Sequence, residues 1–291
     1  LFAGALALAS ALMLTAAGQA PSADWTMVGR TLDEQHFSPL TQINDRNVDR
    51  LGLAWYADIQ TERGMEGSPL EIGGALFNVQ PWNIVTAYDA ASGKVLWRYD
   101  PQVPTRFGRL ACCDIVSRGL AVWRGKIYVA TLDGRLIALD ARSGKPVWSV
   151  LTVDNRKNYT ITGAPRVYGG KVLIGNGGAE MGVRGYVTAY DAETGKQAWR
   201  FYTVPGDPAK MPEGAASDSV MAKAAKTWTG EWWKAGGGGT VWDSLAYDPA
   251  LHLVYIGVGN GSPWAQTFRS PGGGDNLFLA TIVALNVDTG H

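Results

Sequence analysis

Ala87-Tyr88-Asp89-Ala90-Ala91-Ser92-Gly93-Lys94-Val95-Leu96-Trp97 is one copy of a pattern that returns from Ala138 to Trp148 and from Ala189 to Trp199. The starts of these three copies are 51 residues apart both times. A fourth opens at Ala284-Leu285-Asn286-Val287-Asp288-Thr289-Gly290, 95 residues after the third. That gap leaves room for a divergent unit containing Ala246-Tyr247-Asp248 and running to Tyr255. In each copy an alternating strand ends at Asp, and Asp-x-x-Ser/Thr-Gly makes a turn whose Gly is free to take a positive φ. The next strand begins around the Trp, so each copy predicts a β-hairpin. Further strand candidates precede the hairpins, at residues 120–123 and 126–131 before the second and at 166–167 and 171–175 before the third. Four short strands in units of about 40 to 50 residues are the signature of propeller blades. The expected fold class is therefore all-β, with Trp97, Trp148 and Trp199 as packing wedges between blades. Trp55, in Leu51-Gly52-Leu53-Ala54-Trp55-Tyr56, is expected to play the same part in an earlier strand.

Composition agrees with many turns and a large core. The 291 residues include 37 Gly and 12 Trp, and only 18% are charged, against a usual share of about 25%. Lys plus Arg equals Asp plus Glu at 26 each. No basic surplus is available to neutralise a phosphate backbone, so nucleic acid is excluded as a partner. Two segments depart from the blade pattern: 206–234, with a helix expected over Ser217 to Lys226, and the Gly- and Pro-rich loop 262–276.

Leu1 to Ala17 is apolar apart from Ser10 and Thr15 and is followed by small residues, which reads as a secretory signal peptide over residues 1–20, missing its basic start. Residues 21–291 are then an incomplete propeller domain, and the chain is expected to be cut at both ends. Export to the periplasm places the only two cysteines, the adjacent Cys112 and Cys113, in an oxidising compartment. Cα atoms about 3.8 Å apart lie below the usual disulfide range, so a bonded pair and two small buried thiols both remain open.

Several other residues have the chemistry of a ligand site. Glu180 ends the run Gly175-Asn176-Gly177-Gly178-Ala179-Glu180, where glycines let backbone approach a ligand and a single carboxylate suits a hard cation such as Ca2+. Asn260 ends a similar strand and offers a second oxygen; the alternative for each is a turn residue. Trp242 follows Gly236 to Gly239, either lying flat against an aromatic ligand or packing in the core. Arg118 offers a planar fork to an anion, or a surface salt bridge. With three His in the chain, one of them His291, a His-rich zinc or copper site is not expected. No phosphate loop and no Gly-x-Ser-x-Gly elbow competes.

Taken together, these segments resemble the N-terminal half of the quinoprotein alcohol dehydrogenases, periplasmic eight-bladed propellers that use pyrroloquinoline quinone (PQQ) and Ca2+. The resemblance rests on Cys112-Cys113-Asp114 with Arg118, Thr162-Gly163-Ala164-Pro165, Gly177 to Glu180, and Gly239 to Asp243 with Gly259-Asn260-Gly261. It covers nearly everything from Asp24-Trp25 onward. The wording is closer to the alcohol dehydrogenases that carry, or work with, a c-type haem than to the methanol enzymes.

The resemblance implies an eight-bladed propeller of which this chain holds roughly the first half. It also implies a quinone sandwiched between a Cys112-Cys113 disulfide and the Trp242 indole. Glu66, Arg118, Thr162, Gly177, Gly178 and Ala179 would contact the cofactor, and Glu180 and Asn260 would ligate the metal. The implied reaction is oxidation of a primary alcohol to an aldehyde, with electrons passing to a cytochrome c or a membrane quinone. Haem c in a further C-terminal domain is the extra cofactor of that subtype. The general-base aspartate is expected after His291, as is the second aspartate that marks lanthanide enzymes, so this chain holds no catalytic residue and is expected to be inactive alone. Two rivals are a non-catalytic envelope scaffold, which has no use for adjacent cysteines beside a strand-end Glu and Asn, and a sugar or polyol dehydrogenase, whose members usually lack the cysteine pair.

Overall fold

The computed structural model describes residues 23–291; the leader read over residues 1–20 lies outside the described residues. The repeats fold as antiparallel blades. The first is β1 (Leu70–Ile72), β2 (Ala75–Val79), β3 (Val85–Asp89) and β4 (Val95–Tyr99). The second is β5 (Ala121–Trp123), β6 (Lys126–Ala130), β7 (Arg135–Asp140) and β8 (Pro146–Leu151). The third is β9 (Arg166–Tyr168), β10 (Lys171–Gly175), β11 (Tyr186–Asp191) and β12 (Gln197–Tyr202). No separate divergent unit intervenes: after the ribbon strand β13 (Gly237–Gly238), Ala246-Tyr247-Asp248 in β14 (Leu245–Asp248), the run to Tyr255 in β15 (Leu253–Val258) and the fourth copy in β17 (Thr281–Asn286) form one sheet, and segments 206–234 and 262–276 take up the long offset. The short β16 (Gly261–Ser262) pairs with β13.

The hairpin reading holds at the level of register. Ala87 faces Trp97, Ala138 faces Trp148 and Ala189 faces Trp199, and a bulge follows the Ala each time. At each turn the carboxylate of Asp89, Asp140 or Asp191 accepts from the hydroxyl of Ser92, Ser143 or Thr194. The turn glycines Gly93, Gly144, Gly195 and Gly290 have φ of 71°, 69°, 70° and 73°. Each bare Gly receives the Trp of the blade before it: Trp55 on Gly93, Trp97 on Gly144, Trp148 on Gly195 and Trp199 on Gly290. A Cβ at these glycines would come within 2.5–2.8 Å of the indole. Each indole Nε1 also donates to a backbone carbonyl of that turn, at 2.9–3.1 Å. The wedges are thus located by shape and by a hydrogen bond together.

The core lies between consecutive blades. Phe77 and Ala87 pack with Ile127 and Leu139, Tyr128 and Leu136 with Val172 and Tyr186, and Leu173 and Val187 with Val254 and Leu285. First strands lie innermost, since Ser68 ahead of β1 bridges Gly119 ahead of β5. Fourth strands lie outermost and expose Val95, Leu96, Val147 and Leu151.

A second expectation is corrected. Trp55 is a wedge, but the segment around it belongs to no sheet among the described residues. An outermost strand is assigned only through a hydrogen-bonded neighbour, and no described strand lies beside it. The helix expected in the insertion is α1 (Asp218–Ala225), with Ser217 and Lys226 as its caps. The loop 262–276 carries the short α2 (Gln266–Arg269) and is tied to the insertion by Thr229 N–H to Ser270 Oγ (2.9 Å) and Asn276 Nδ2 to the Thr227 carbonyl (3.1 Å). Among the described residues no helix is long and apolar enough to cross a membrane.

Candidate cofactor site

Blade symmetry explains why residues far apart in sequence meet. Glu66 lies four residues ahead of β1, Arg118 three ahead of β5, Thr162 four ahead of β9 and Trp242 three ahead of β14. These are corresponding positions on innermost strands. Glu180 and Asn260 follow the second strands β10 and β15, which run antiparallel to the first and so end where the first begin. All six therefore gather at one end of the innermost strands.

They enclose a cavity of about 220 Å³ lined by Cys112, Cys113, Arg118, Thr162, Gly177, Gly178, Ala179, Glu180, Trp242 and Asn260. Glu66 reaches it through Arg118, at 3.2 Å. Two further lining residues, Thr160 and Thr240, escaped the sequence reading. Each stands two residues ahead of a predicted one, and on extended backbone side chains at i and i+2 share a face, so alternation was the available signal.

Cys112 and Cys113 are bonded to each other. Their loop is held by a small core of Val103, Phe107, Ile115 and Leu132 against Trp82. Trp242 lines the cavity and is 47% exposed, whereas the wedge Trp199 is 6% exposed, so the Trp242 indole has surface open to a ligand. The glycines before Trp242 allow close backbone passage: Gly236 to Gly239 all have positive φ, and Gly185 N–H donates to the Gly238 carbonyl at 2.7 Å. The Arg118 guanidinium bonds Thr162 Oγ1 at 2.6 Å and stands 5.0 Å from the centre of the Trp242 ring. The nearby Asp243 is already used, its Oδ1 accepting from Ala164 N–H at 3.4 Å.

The loop bearing Glu180 is organised by Asn176, which is fully buried. Its Oδ1 accepts from Tyr186 N–H at 2.9 Å and its amide donates to the Gly177 carbonyl at 3.1 Å. Gly178 and Gly182, at φ of 91° and 76°, flank the single turn Ala179–Met181. Asn260 repeats the device, donating its amide to the Gly261 carbonyl at 3.1 Å. That use of the nitrogen leaves Oδ1 as the end that could meet a cation.

The donors present fit a hard cation and a flat anion. A carboxylate and an amide oxygen suit Ca2+, which takes six to eight oxygens. Among the described residues no group of three or more His, Cys, Asp or Glu could hold a metal, so a cation here would draw its other oxygens from carbonyls, hydroxyls, water or a ligand. An exposed indole, a disulfide and a guanidinium suit a planar ligand with carboxylates. At Gly178 a Cβ would fall 2.6 Å from the Asn158 carbonyl, so this cradle requires glycine.

The profile of a family described as "PQQ: Glucose/ethanol/alcohol dehydrogenase, beta-propeller domain" matches residues 25–291. The chain is 60% identical over 268 residues to quinohemoprotein alcohol dehydrogenase ADH IIB of Pseudomonas putida, covering 92% of this chain and 38% of that protein. It is 58% identical over 276 residues to the dehydrogenase subunit of alcohol dehydrogenase (quinone) of Gluconobacter oxydans, covering 92% and 36%. The solved structure of quinohemoprotein alcohol dehydrogenase ADHIIG from Pseudomonas putida HK5 superposes with a TM-score of 0.89 at 58% identity, covering 92% and 39%. The chain thus spans well under half the length of these relatives.

Proposed function

We propose a function from one premise: the chain belongs to the PQQ-dependent glucose, ethanol and alcohol dehydrogenase family, of which it carries β-propeller sequence. The complete protein oxidises a primary alcohol to its aldehyde in the periplasm, with PQQ and Ca2+ in the cavity, and passes electrons to a cytochrome c or a membrane quinone. Haem c in a further domain is part of this reading, because the matched Pseudomonas relatives are named quinohemoproteins. The observation that carries the reading is the convergence of the Cys112–Cys113 disulfide, the exposed Trp242, Arg118, Glu180 and Asn260 on one cavity.

Each residue then has a physical task. Cys112–Cys113 and Trp242 present rigid faces to a planar cofactor. Arg118, oriented by Glu66 and Thr162, pairs with its carboxylates, while Thr162, Gly177, Gly178 and Ala179 offer hydrogen bonds and close backbone approach. Glu180 and Asn260 hold the cation. When bound, the quinone supplies the acceptor for the hydride equivalent of the alcohol, with Ca2+ as Lewis acid.

The test is dye reduction by the complete gene product, purified without cofactor and supplied with PQQ, Ca2+ and ethanol. Alcohol-dependent reduction that a calcium chelator abolishes is expected. Reduction with glucose but with no primary alcohol would favour the sugar dehydrogenase reading, and no reduction with either would favour the scaffold.

A further inference from the structure

Residues 25–36 touch the innermost strand region of every blade described. Trp25 exchanges backbone hydrogen bonds with Glu71 in β1, at 2.7 and 3.1 Å. Val28 lies against Gly119 just ahead of β5, where a Cβ would fall 3.0 Å from Val28 Cγ2. Glu34 bonds Arg166 of β9 at 2.9 Å, and the Leu32 carbonyl accepts from Tyr247 N–H of β14 at 3.3 Å. The segment therefore crosses the space that the first strands surround.

Its depth is fixed by the same contacts. Glu71 comes five residues after Glu66, Gly119 one after Arg118, Arg166 four after Thr162 and Tyr247 five after Trp242. Every contact lies beyond a cavity residue on the same innermost run, so the segment sits behind the cavity along the axis. The backbone between is linked across the first three blades: Arg118 N–H donates to the Thr162 carbonyl at 2.9 Å and Ser68 N–H to the Arg118 carbonyl at 3.3 Å. The segment is itself braced. Trp25 Nε1 donates to the Val28 carbonyl at 3.0 Å. A side chain on Gly29 would put its Cβ 2.5 Å from Glu34 Cα. The Glu34–Arg166 pair is nearly dry, with side chains 18% and 5% exposed.

We propose that residues 25–36 form an axial plug that positions the cofactor-binding ends of the innermost strands, with Val28 and Glu34 acting as positioning residues for Arg118 and Thr162. Neither residue lines the cavity. Val28 supports the backbone at Gly119, next to Arg118, and Glu34 holds Arg166, whose guanidinium also bonds the Ala164 carbonyl at 3.1 Å, two residues from Thr162. Loosening this support lets the linked backbone shift by fractions of an ångström, and precise placement is what a preorganised site depends on.

The inference rests on the PQQ reading, and its test separates the two. Val28→Ala, Val28→Thr and Glu34→Gln are made in the complete gene product, and PQQ is titrated at saturating Ca2+ into cofactor-free protein by quenching of Trp fluorescence. Thermal unfolding of the cofactor-free proteins is followed in parallel. Val28→Ala is expected to weaken PQQ binding about tenfold, as is Glu34→Gln, with the Val28→Ala protein melting close to wild type. Val28→Thr keeps the branched shape, with Oγ1 in place of the Cγ2 that meets Gly119, and is expected to bind as wild type does. Breaking the buried pair makes Glu34→Gln the riskier variant to fold, and if it fails, the Val28 series decides. Wild-type affinity in Val28→Ala overturns the plug alone; a wild-type protein that binds no PQQ overturns the functional reading and the plug with it.

Discussion

The Arg118 guanidinium stands 5.0 Å from the centre of the Trp242 ring, held there by Thr162 Oγ1 at 2.6 Å and Glu66 Oε2 at 3.2 Å. These four residues come from four different blades and share one place, just ahead of the innermost strand. The propeller thus converts a sequence repeat into a ring of unlike side chains around one cavity.

Arg118→Lys keeps the charge but loses the planar fork that meets Thr162, Glu66 and the indole together. Hydrogen bonds to charged groups are worth about 1.5–3 kcal/mol, so PQQ binding in the complete gene product is expected to weaken about ten- to hundredfold. Fluorescence titration checks it; unchanged affinity removes Arg118 from the site.

Glu180→Gln removes the one anionic donor in the proposed cation shell, and Glu180 is exposed, so the fold should not notice. The Ca2+ concentration that half-activates dye reduction is expected to rise by about tenfold or more, with the far-ultraviolet circular dichroism unchanged. Equal Ca2+ dependence in variant and wild type would remove Glu180 from the shell.

Gly195→Ala tests the wedge. Gly195 has φ of +70° and its added Cβ would lie 2.8 Å from the Trp148 ring, whereas Gly169, at +54°, faces open space. Both substitutions carry the backbone penalty of about 1 kcal/mol, but only Gly195→Ala adds overpacking, about 1–3 kcal/mol more. Calorimetry should show the larger loss of melting temperature at Gly195.

How much of this was legible depends on the kind of signal. Asp89-x-x-Ser92-Gly93-x-x-x-Trp97 encodes strand, turn and wedge locally, so the hairpins and the Trp wedges could be read directly, whereas the bulged register and the docking of each Trp on the next blade's turn glycine depend on how the blades pack. The cavity residues were found by type and motif, and their meeting follows from blade symmetry. Thr160 and Thr240 look like ordinary strand residues until the strands are placed. The axial course of residues 25–36 was invisible, because Val28, Leu32 and Glu34 have no periodic pattern and acquire partners only from β5, β14 and β9.

The turn carboxylates give a pH signature. Hydrogen bonds from Ser92, Ser143 and Thr194 hold Asp89, Asp140 and Asp191 below the usual carboxylate range. A depressed folded pKa contributes stability above the unfolded value, near 4, that is lost as pH falls through the folded pKa. Ser143→Ala should therefore melt lower than wild type at pH 6, with the difference shrinking below about pH 4. A constant difference across that range would assign the effect to packing instead.

The most direct test of the central claim is an equilibrium titration of PQQ into the cofactor-free complete gene product with Ca2+ present, read by Trp fluorescence. One PQQ per chain, lost on chelation of Ca2+ and severely weakened by Trp242→Ala, is the predicted result. Absence of saturable binding, or binding indifferent to Trp242→Ala, would contradict the placement of the cofactor between that indole and the Cys112–Cys113 disulfide.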